Sequence, residues 1–326
     1  MKRIAYIVPY FGKFPENFPL WLISCEKNPT VDWLIFTDDR TKYSYPPNVK
    51  VVYMSFEEMK EKIQRLFDFP IVLDKPWKIC DYRVAFGEIF EKELMGYDFW
   101  GHCDLDMVWG NIRNFLTNDI LEKYEKIGNQ GHSTLYKNNP EVNVRYKACI
   151  EEAVDYKTVF TSANAYGFDE TRICGIYDAL EIDYYKKTIY AHLNKYESSF
   201  YLGHLTKDDV YKNKHQVFCW SDGILTRYYL NNKKVETEEF MYIHFWCRPI
   251  TYRIQGCTSD DSFIMYPDVV KKCDRPVDVK FLKKYGHKGK IPFLLKSLYR
   301  SRKKITLKRI IFNFKSFSRY RKRDVR

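Results

Sequence analysis

The chain has 326 residues, 45% hydrophobic and 17% aromatic, with a formal net charge of +12. Such a length buries a large core, and such a composition excludes a disordered polymer. No apolar run approaches the ~20 residues needed to cross a bilayer.

The charge is unevenly spread. Residues 280–326 hold 18 Lys/Arg against one acid, Asp324, a net of +17 that leaves residues 1–279 at −5. Apolar residues such as Ile291, Leu294, Leu298, Ile305 and Phe312 thread this basic stretch at roughly helical spacing. A basic amphipathic segment of that kind suits an anionic membrane surface. No known nucleic-acid motif accompanies the charge, so nucleic acid is not an expected partner. The nine cysteines are odd in number and form no C-x-x-C, as expected of thiols in a reducing compartment. The opening Met1-Lys2-Arg3 and the short run Ile4 to Val8 do not make a signal peptide. The expected location is therefore the cytosol, peripheral to the inner face of the cell membrane.

In chain order, Arg3 to Pro9 reads as a buried parallel strand, followed by a loop and a helix over Phe18 to Cys25. Val31 to Thr37 is a second apolar strand and Val49 to Met54 a third. Ser55 and Glu58 have the spacing of a capping box, opening a helix with Phe56, Met59, Ile63 and Leu66 on one face, to about Phe67. Pro76 opens a helix expected to reach Met95. Tyr97 to His102 is a strand, Asn111 to Lys126 an amphipathic helix, and Gly131 to Tyr136 a strand. Residues 140–200 read as mostly helical and loop-like. Gln216 to Trp220 is a strand ending in the turn Ser221-Asp222-Gly223, and Met241 to Cys247 is a strand with His244 in its middle.

Strand–helix alternation through about 105 residues predicts an α/β sheet covered on both faces, whose ligands bind beyond the carboxyl ends of the strands. Pro9-Tyr10, Thr37-Asp38-Asp39 and Asp104-Leu105-Asp106 all stand just past expected strand ends. Tyr10 is a candidate base platform, and Asp38 and Asp39 are candidate hydroxyl-binding carboxylates. Asp104 and Asp106, two apart, point to the same side, and two hard oxygen donors suit Mg²⁺ or Mn²⁺ holding a diphosphate. Isolated D-x-D pairs are often solvated turns. Here Trp100, Met107, Val108 and Trp109 flank the pair and make unpaired burial costly. One domain, 1–269, and a basic tail, 270–326, is the expected organisation.

These residues resemble nucleotide-sugar glycosyltransferases of the A-type fold, and among them a bacterial group associated with capsule and surface polysaccharide. The resemblance rests on Pro9 to Gly12, Phe36 to Asp39, Lys75 to Asp81, the block Tyr97 to Gly110, Gly131 through Asn138, and His244-Phe245-Trp246. It implies a single Rossmann-like nucleotide-sugar-binding domain with a central mixed, mostly parallel sheet. It also implies Asp104 and Asp106 as ligands of Mn²⁺ or Mg²⁺, with Asp104 leaning to the ribose or the metal and His244 as a third ligand. Lys78 and Asp81, three apart on one helix, would touch the nucleoside or donor sugar. Asp222 is a candidate base or hydroxyl-binding residue, and His132 a candidate base or acceptor-binding residue. His102 is expected to be structural. Of Trp100, Trp109, Trp220 and Trp246, one or two at most would meet ligand.

The expected activity is metal-dependent transfer of a hexose from a UDP-linked sugar to a saccharide acceptor, lipid-linked and held at the membrane by the tail. His244 leans the reading toward retention by resemblance alone. Two other readings compete. A metal-dependent phosphoryl or nucleotidyl transferase would also use paired carboxylates, but the sequence has no Gly-x-x-x-x-Gly-Lys-Ser/Thr loop. A non-enzymatic adaptor would work through the basic tail and need no converging acids.

Overall fold

The computed structural model describes residues 1–151, 153–193, 199, 200, 202 and 215–286. The chain divides into two compact units where one domain was expected. The first is built from Met1–Leu105 and Ile112–Thr188. The second takes Asp106–Asn111 and the chain from Ile189 onward.

The first unit is organised on strands β1 (Ile4–Tyr10), β2 (Val31–Thr37), β3 (Val49–Tyr53) and β4 (Phe99–Cys103). Strand β5 (Met107–Trp109) belongs to the second unit. Strands β6 (Lys126–Gln130) and β7 (Ser133–Lys137) complete the first. The sheet runs β3-β2-β1-β4-β7-β6. Strands β1 to β4 pair in parallel, whereas β7 runs antiparallel to β4 and to β6. All five residues of β4 and the first five of β1 are buried. That accounts for their continuous apolar runs, since a central strand faces core on both sides. Gly101 is required there: a Cβ would stand 2.4 Å from the Thr134 carbonyl oxygen.

Helix α1 (Phe18–Glu26) follows β1, and α2 (Phe56–Gln64) follows β3. The capping box at α2 forms in both directions. Ser55 Oγ accepts from the Glu58 amide at 3.1 Å, and the Ser55 amide donates to Glu58 Oε2 at 2.6 Å. The helix stops at Gln64, short of Phe67, because the Gln64 side chain bonds the turn beyond it at Phe67, Phe69 and Ile71.

Two expected helices are broken. Residues 76–95 form a series of short helical turns: Pro76–Lys78, Ile79–Tyr82, Arg83–Ala85 and Phe86–Ile89. Long-range bonds from Lys78, Asp81 and Arg83 anchor this segment, so side chains set its path and a regular ladder does not. Residues 111–126 hold two short helices, Ile112–Phe115 and Asn118–Lys123, divided where Thr117 becomes extended (φ −70°, ψ 163°). Lys126 then begins β6.

The second unit contains β8 (Tyr190–His192), β9 (Gln216–Ser221), β10 (Ile224–Asn231), β11 (Lys234–Phe240) and β12 (Tyr242–His244). It also holds β13 (Thr251–Arg253), β14 (Phe263–Tyr266), β15 (Val269–Lys272) and the helix Val279–Tyr285. Six strands form one sheet in the order β11-β10-β9-β14-β15-β13, and β5-β12-β8 form a second, small sheet. Phe281 and Leu282 of the helix pack with Val217, Leu230 and Ile264. Residues 270–286 thus contribute a strand and a helix to this unit. The remainder of the expected tail, 287–326, lies outside the described residues. No described helix is long and apolar enough to cross a membrane.

Candidate functional site

The small sheet of the second unit gathers the strongest donor set. Strands β8 and β12 run parallel with Tyr190 opposite Tyr242 and His192 opposite His244. The two tyrosines stack at 5.4 Å and 12°, and both strands end in their histidine. His244 was expected in mid-strand; it is the last strand residue. The chain leaves the ladder there because Trp246 and Cys247 take left-handed backbone, with φ of 49° and 52°. Strand β5 pairs antiparallel with β12, Met107 against His244, which brings Asp106 beside the end of β12.

Asp106 is tied down from several sides. Its carbonyl accepts from the Phe245 amide at 2.8 Å, its Oδ2 accepts from the Cys247 amide, and its Oδ1 lies 3.2 Å from His244 Nε2. Burial raises the pKa of this carboxyl, but the charge and hydrogen bond of His244 and the Cys247 amide outweigh burial and hold it well below the usual range.

His244 Nδ1 lies 2.9 Å from Nδ1 of His192. Without an ion, His244 Nε2–H donates to the Asp106 carboxylate; an ion between the two would call for the tautomer protonated on Nδ1, which donates to His192 and turns the Nε2 lone pair toward the metal. A carboxylate oxygen and an imidazole nitrogen on neighbouring positions of one octahedral ion stand about 3 Å apart for bonds of ~2.1 Å. The observed 3.2 Å fits that spacing. This oxygen and nitrogen pair suits Mn²⁺, and His192 supplies the hydrogen bond that orients a ligating imidazole.

His192 escaped the sequence reading, which left 140–200 helical and loop-like. One signal was present: Tyr190-Ala191-His192 repeats the pattern Tyr242-Ile243-His244. Removing its ring nitrogen in His192→Phe is expected to weaken Mn²⁺ binding about 10- to 100-fold, read by the spectrum of free Mn²⁺. Unchanged affinity would show that His192 does not orient the ligand.

Of the four tryptophans considered, Trp100, Trp109 and Trp220 are fully buried and belong to the core. Trp246 alone of these is part-exposed, with its ring 4.9 Å from that of His192. Asp222 is exposed in the two-residue turn joining β9 to β10. Asp222 (φ 48°) and Gly223 (φ 79°) both have positive φ, the Asp-Gly signature of a type I′ hairpin, so turn geometry accounts for this residue.

In the first unit the strand-end residues line the expected rim but are engaged by loops. Pro9 and Tyr10 close β1 in register with Phe36 and Thr37, and Tyr10 stacks on Phe14 at 5.4 Å. Thr37 is buried, with its hydroxyl accepting from the Asp39 amide. Asp38 accepts from the Gly12 amide at 2.7 Å, and Asp39 from those of Phe14 and Thr41 at 2.9 Å each. For Asp39, burial is outweighed by these bonds and by Lys13, leaving the pKa lowered. Both aspartates therefore shape the loop after β1.

Lys78 and Asp81 are 2.8 Å apart and only 2% and 0% exposed, a core pair where a contact to the nucleoside or donor sugar was expected. Lys78 also donates to the carbonyls of Val159 and Asn164, and Asp81 accepts from the amides of Tyr166 and Phe168. They fasten the 159–168 segment.

Asp104 follows β4, and its amide donates to the His132 carbonyl at 3.0 Å. His132 is buried, as is His102. Arg83, from the broken helical segment, donates to Asp104 Oδ1 at 2.5 Å, to Asp169 Oδ2 at 3.0 Å and to the Gly131 carbonyl at 2.7 Å. Desolvation lowers the Arg83 pKa, but the two carboxylates dominate and raise it. Asp169 is a residue the sequence did not suggest. Burial pushes its carboxyl up to about 7 against the opposing pull of Arg83.

A carboxyl whose folded-state pKa exceeds its unfolded value of 3.8 costs stability as pH rises through that interval. Asp169→Asn is therefore expected to gain melting temperature on the wild type steadily from about pH 4 to about pH 7. A constant offset across that range would contradict it.

The model of a family described as "Family of unknown function (DUF6625)" matches residues 6–274. No curated protein sequence matches the chain. Among solved structures, the chain is similar to mouse xyloside xylosyltransferase 1 in its apo form. Identity is 11% and the TM-score 0.41, over 76% of this chain and 99% of that one.

Proposed function

We propose that this chain, which belongs to the DUF6625 family, is a metal-dependent glycosyltransferase that moves a hexose from a nucleotide diphosphate sugar to a saccharide acceptor. The observation that carries the reading is the Asp106–His244 pair, an anionic oxygen and an imidazole nitrogen 3.2 Å apart at neighbouring strand ends. In the sequence a further carboxylate, Asp104, precedes Asp106 by two residues, and the proposed ligand set is Asp104, Asp106 and His244. Such a set suits Mn²⁺ or Mg²⁺, and the ion when bound would offset the charge developing on a leaving diphosphate.

The protein's own groups have distinct parts in this reading. Asp106, fixed by two backbone amides, presents its oxygen with little rearrangement. With the ion bound, His192 would accept from His244 Nδ1 and so hold the tautomer whose Nε2 lone pair faces the metal. Trp246 offers an apolar face to a sugar ring. His132 is the proposed acceptor-side residue. UDP is the proposed nucleotide, and the acceptor is proposed to be lipid-linked, with residues 287–326 meeting an anionic membrane.

A thermal-shift screen of UDP, GDP, CMP and ADP, each with and without Mn²⁺, tests the reading. Stabilisation by UDP that requires Mn²⁺ is the expected result. A shift with none of the nucleotides, in the presence or absence of metal, would sink it.

A further inference from the structure

The second unit carries a second candidate binding site, on residues the proposed transfer does not use. A cavity of about 350 Å³ opens between the edge of the large sheet and the helix Val279–Tyr285. Among the described residues four cations line it, Arg253, Lys271, Arg275 and Lys284, with a single acid, the buried Asp268.

The backbone forces two of these together. Strands β13 and β15 are parallel with Arg253 in register with Lys271, so both side chains stand on one face. Like charges opposite one another destabilise a strand pair. Some relief comes from Asp274, which pairs with Lys271 at 3.3 Å and with Arg275 at 3.2 Å. Asp274 is half exposed, so solvent weakens those pairs. Among the described residues neither Arg253 nor Lys284 has an ion pair with a carboxylate.

The cavity wall is aromatic. Tyr266 and Tyr285 stack at 5.4 Å and 19°. The Tyr285 hydroxyl reports the local field. Its hydrogen bond with Lys284, and the charges of Lys284, Arg275 and Lys271, lower its pKa despite desolvation. Excess positive charge over a partly apolar floor is the chemistry that holds a phosphate with an attached organic group, and arginine in particular grips phosphate oxygens in pairs.

We infer that this cavity binds a phosphate or diphosphate group, with Arg253 and Lys284 as its principal contacts. The same chemistry could come from a soluble phosphate ester or from a phospholipid headgroup.

The test titrates inorganic pyrophosphate into the full chain by calorimetry in EDTA, which silences any metal-bridged binding at Asp106 and His244. Arg253→Glu with Lys284→Glu is expected to weaken pyrophosphate binding at least roughly tenfold, as loss of charge-assisted hydrogen bonds does. The milder Arg253→Gln, at an exposed side chain, should weaken it less and guards against misfolding. Asp106→Ala should leave it intact, which separates this inference from the fate of the transferase reading. Vesicles of phosphatidylcholine with and without phosphatidylglycerol identify the source. Displacement of bound pyrophosphate by the anionic vesicles marks a headgroup site, a readout that vesicle binding through residues 287–326 does not share, whereas pyrophosphate binding unaffected by them marks a soluble ligand. Pyrophosphate that fails to bind, or binds all variants as it binds the wild type, overturns the inference.

Discussion

Asp106→Ala is expected to abolish the Mn²⁺-dependent stabilisation by nucleotide and to lower sugar transfer by about a thousandfold or more. A metal ion supplies several kcal/mol of stabilisation to a developing anion, and each 1.4 kcal/mol is about tenfold in rate. The carboxylate is the firmest member of the donor set, because Cys247 and Phe245 hold both its side chain and its backbone. His244→Ala should cost less, since one nitrogen donor is lost while the anion remains. The double variant should be little worse than Asp106→Ala alone, as groups that act through one ion are not additive. Retention of Mn²⁺-dependent binding in Asp106→Ala would remove the metal site from the proposal.

Asp81→Ala is expected to destabilise the fold by about 3–5 kcal/mol, read by denaturant unfolding, because it leaves the Lys78 ammonium buried without a counter-charge. It also strips the acceptor from the Tyr166 and Phe168 amides. Lys78→Met should cost less, since Asp81 keeps those two amides. Replacing the pair together, Lys78→Met with Asp81→Leu, should recover part of the loss by returning apolar volume to the site. If Asp81→Ala unfolds at the wild-type denaturant concentration, the pair is not the fastening between residues 78–81 and 159–168 that its burial indicates.

Much of the first unit was readable from the chain. Strand β2 falls on the expected residues, and β1 and β3 differ by a residue at their ends, because apolar runs bounded by proline and turn residues allow little else. The capping box at Ser55 and Glu58 needs only local geometry and formed as its spacing indicated. Reading failed where remote contacts set the backbone. The helix expected over 76–95 is broken around side chains bound to segments about 80 residues away, and no window of sequence holds both partners. In the second unit the sequence marks the strand at Gln216 in the six-stranded sheet and the one at Met241 in the small sheet, while the remaining strands carry no comparable signal.

For the candidate site, the sequence by itself determined the chemistry: which acids and histidines exist, and that Asp104 and Asp106 stand two apart near a strand end. Tertiary structure decided which of them meet. The register of β12 against β5 and β8 sets Asp106 beside His244 and His244 beside His192, over sequence separations of 138 and 52 residues. Burial likewise turned Lys78 and Asp81 from ligand candidates into a core fastening. Periodicity and spacing act within a few residues, whereas strand register and desolvation depend on segments joined only once the chain has folded.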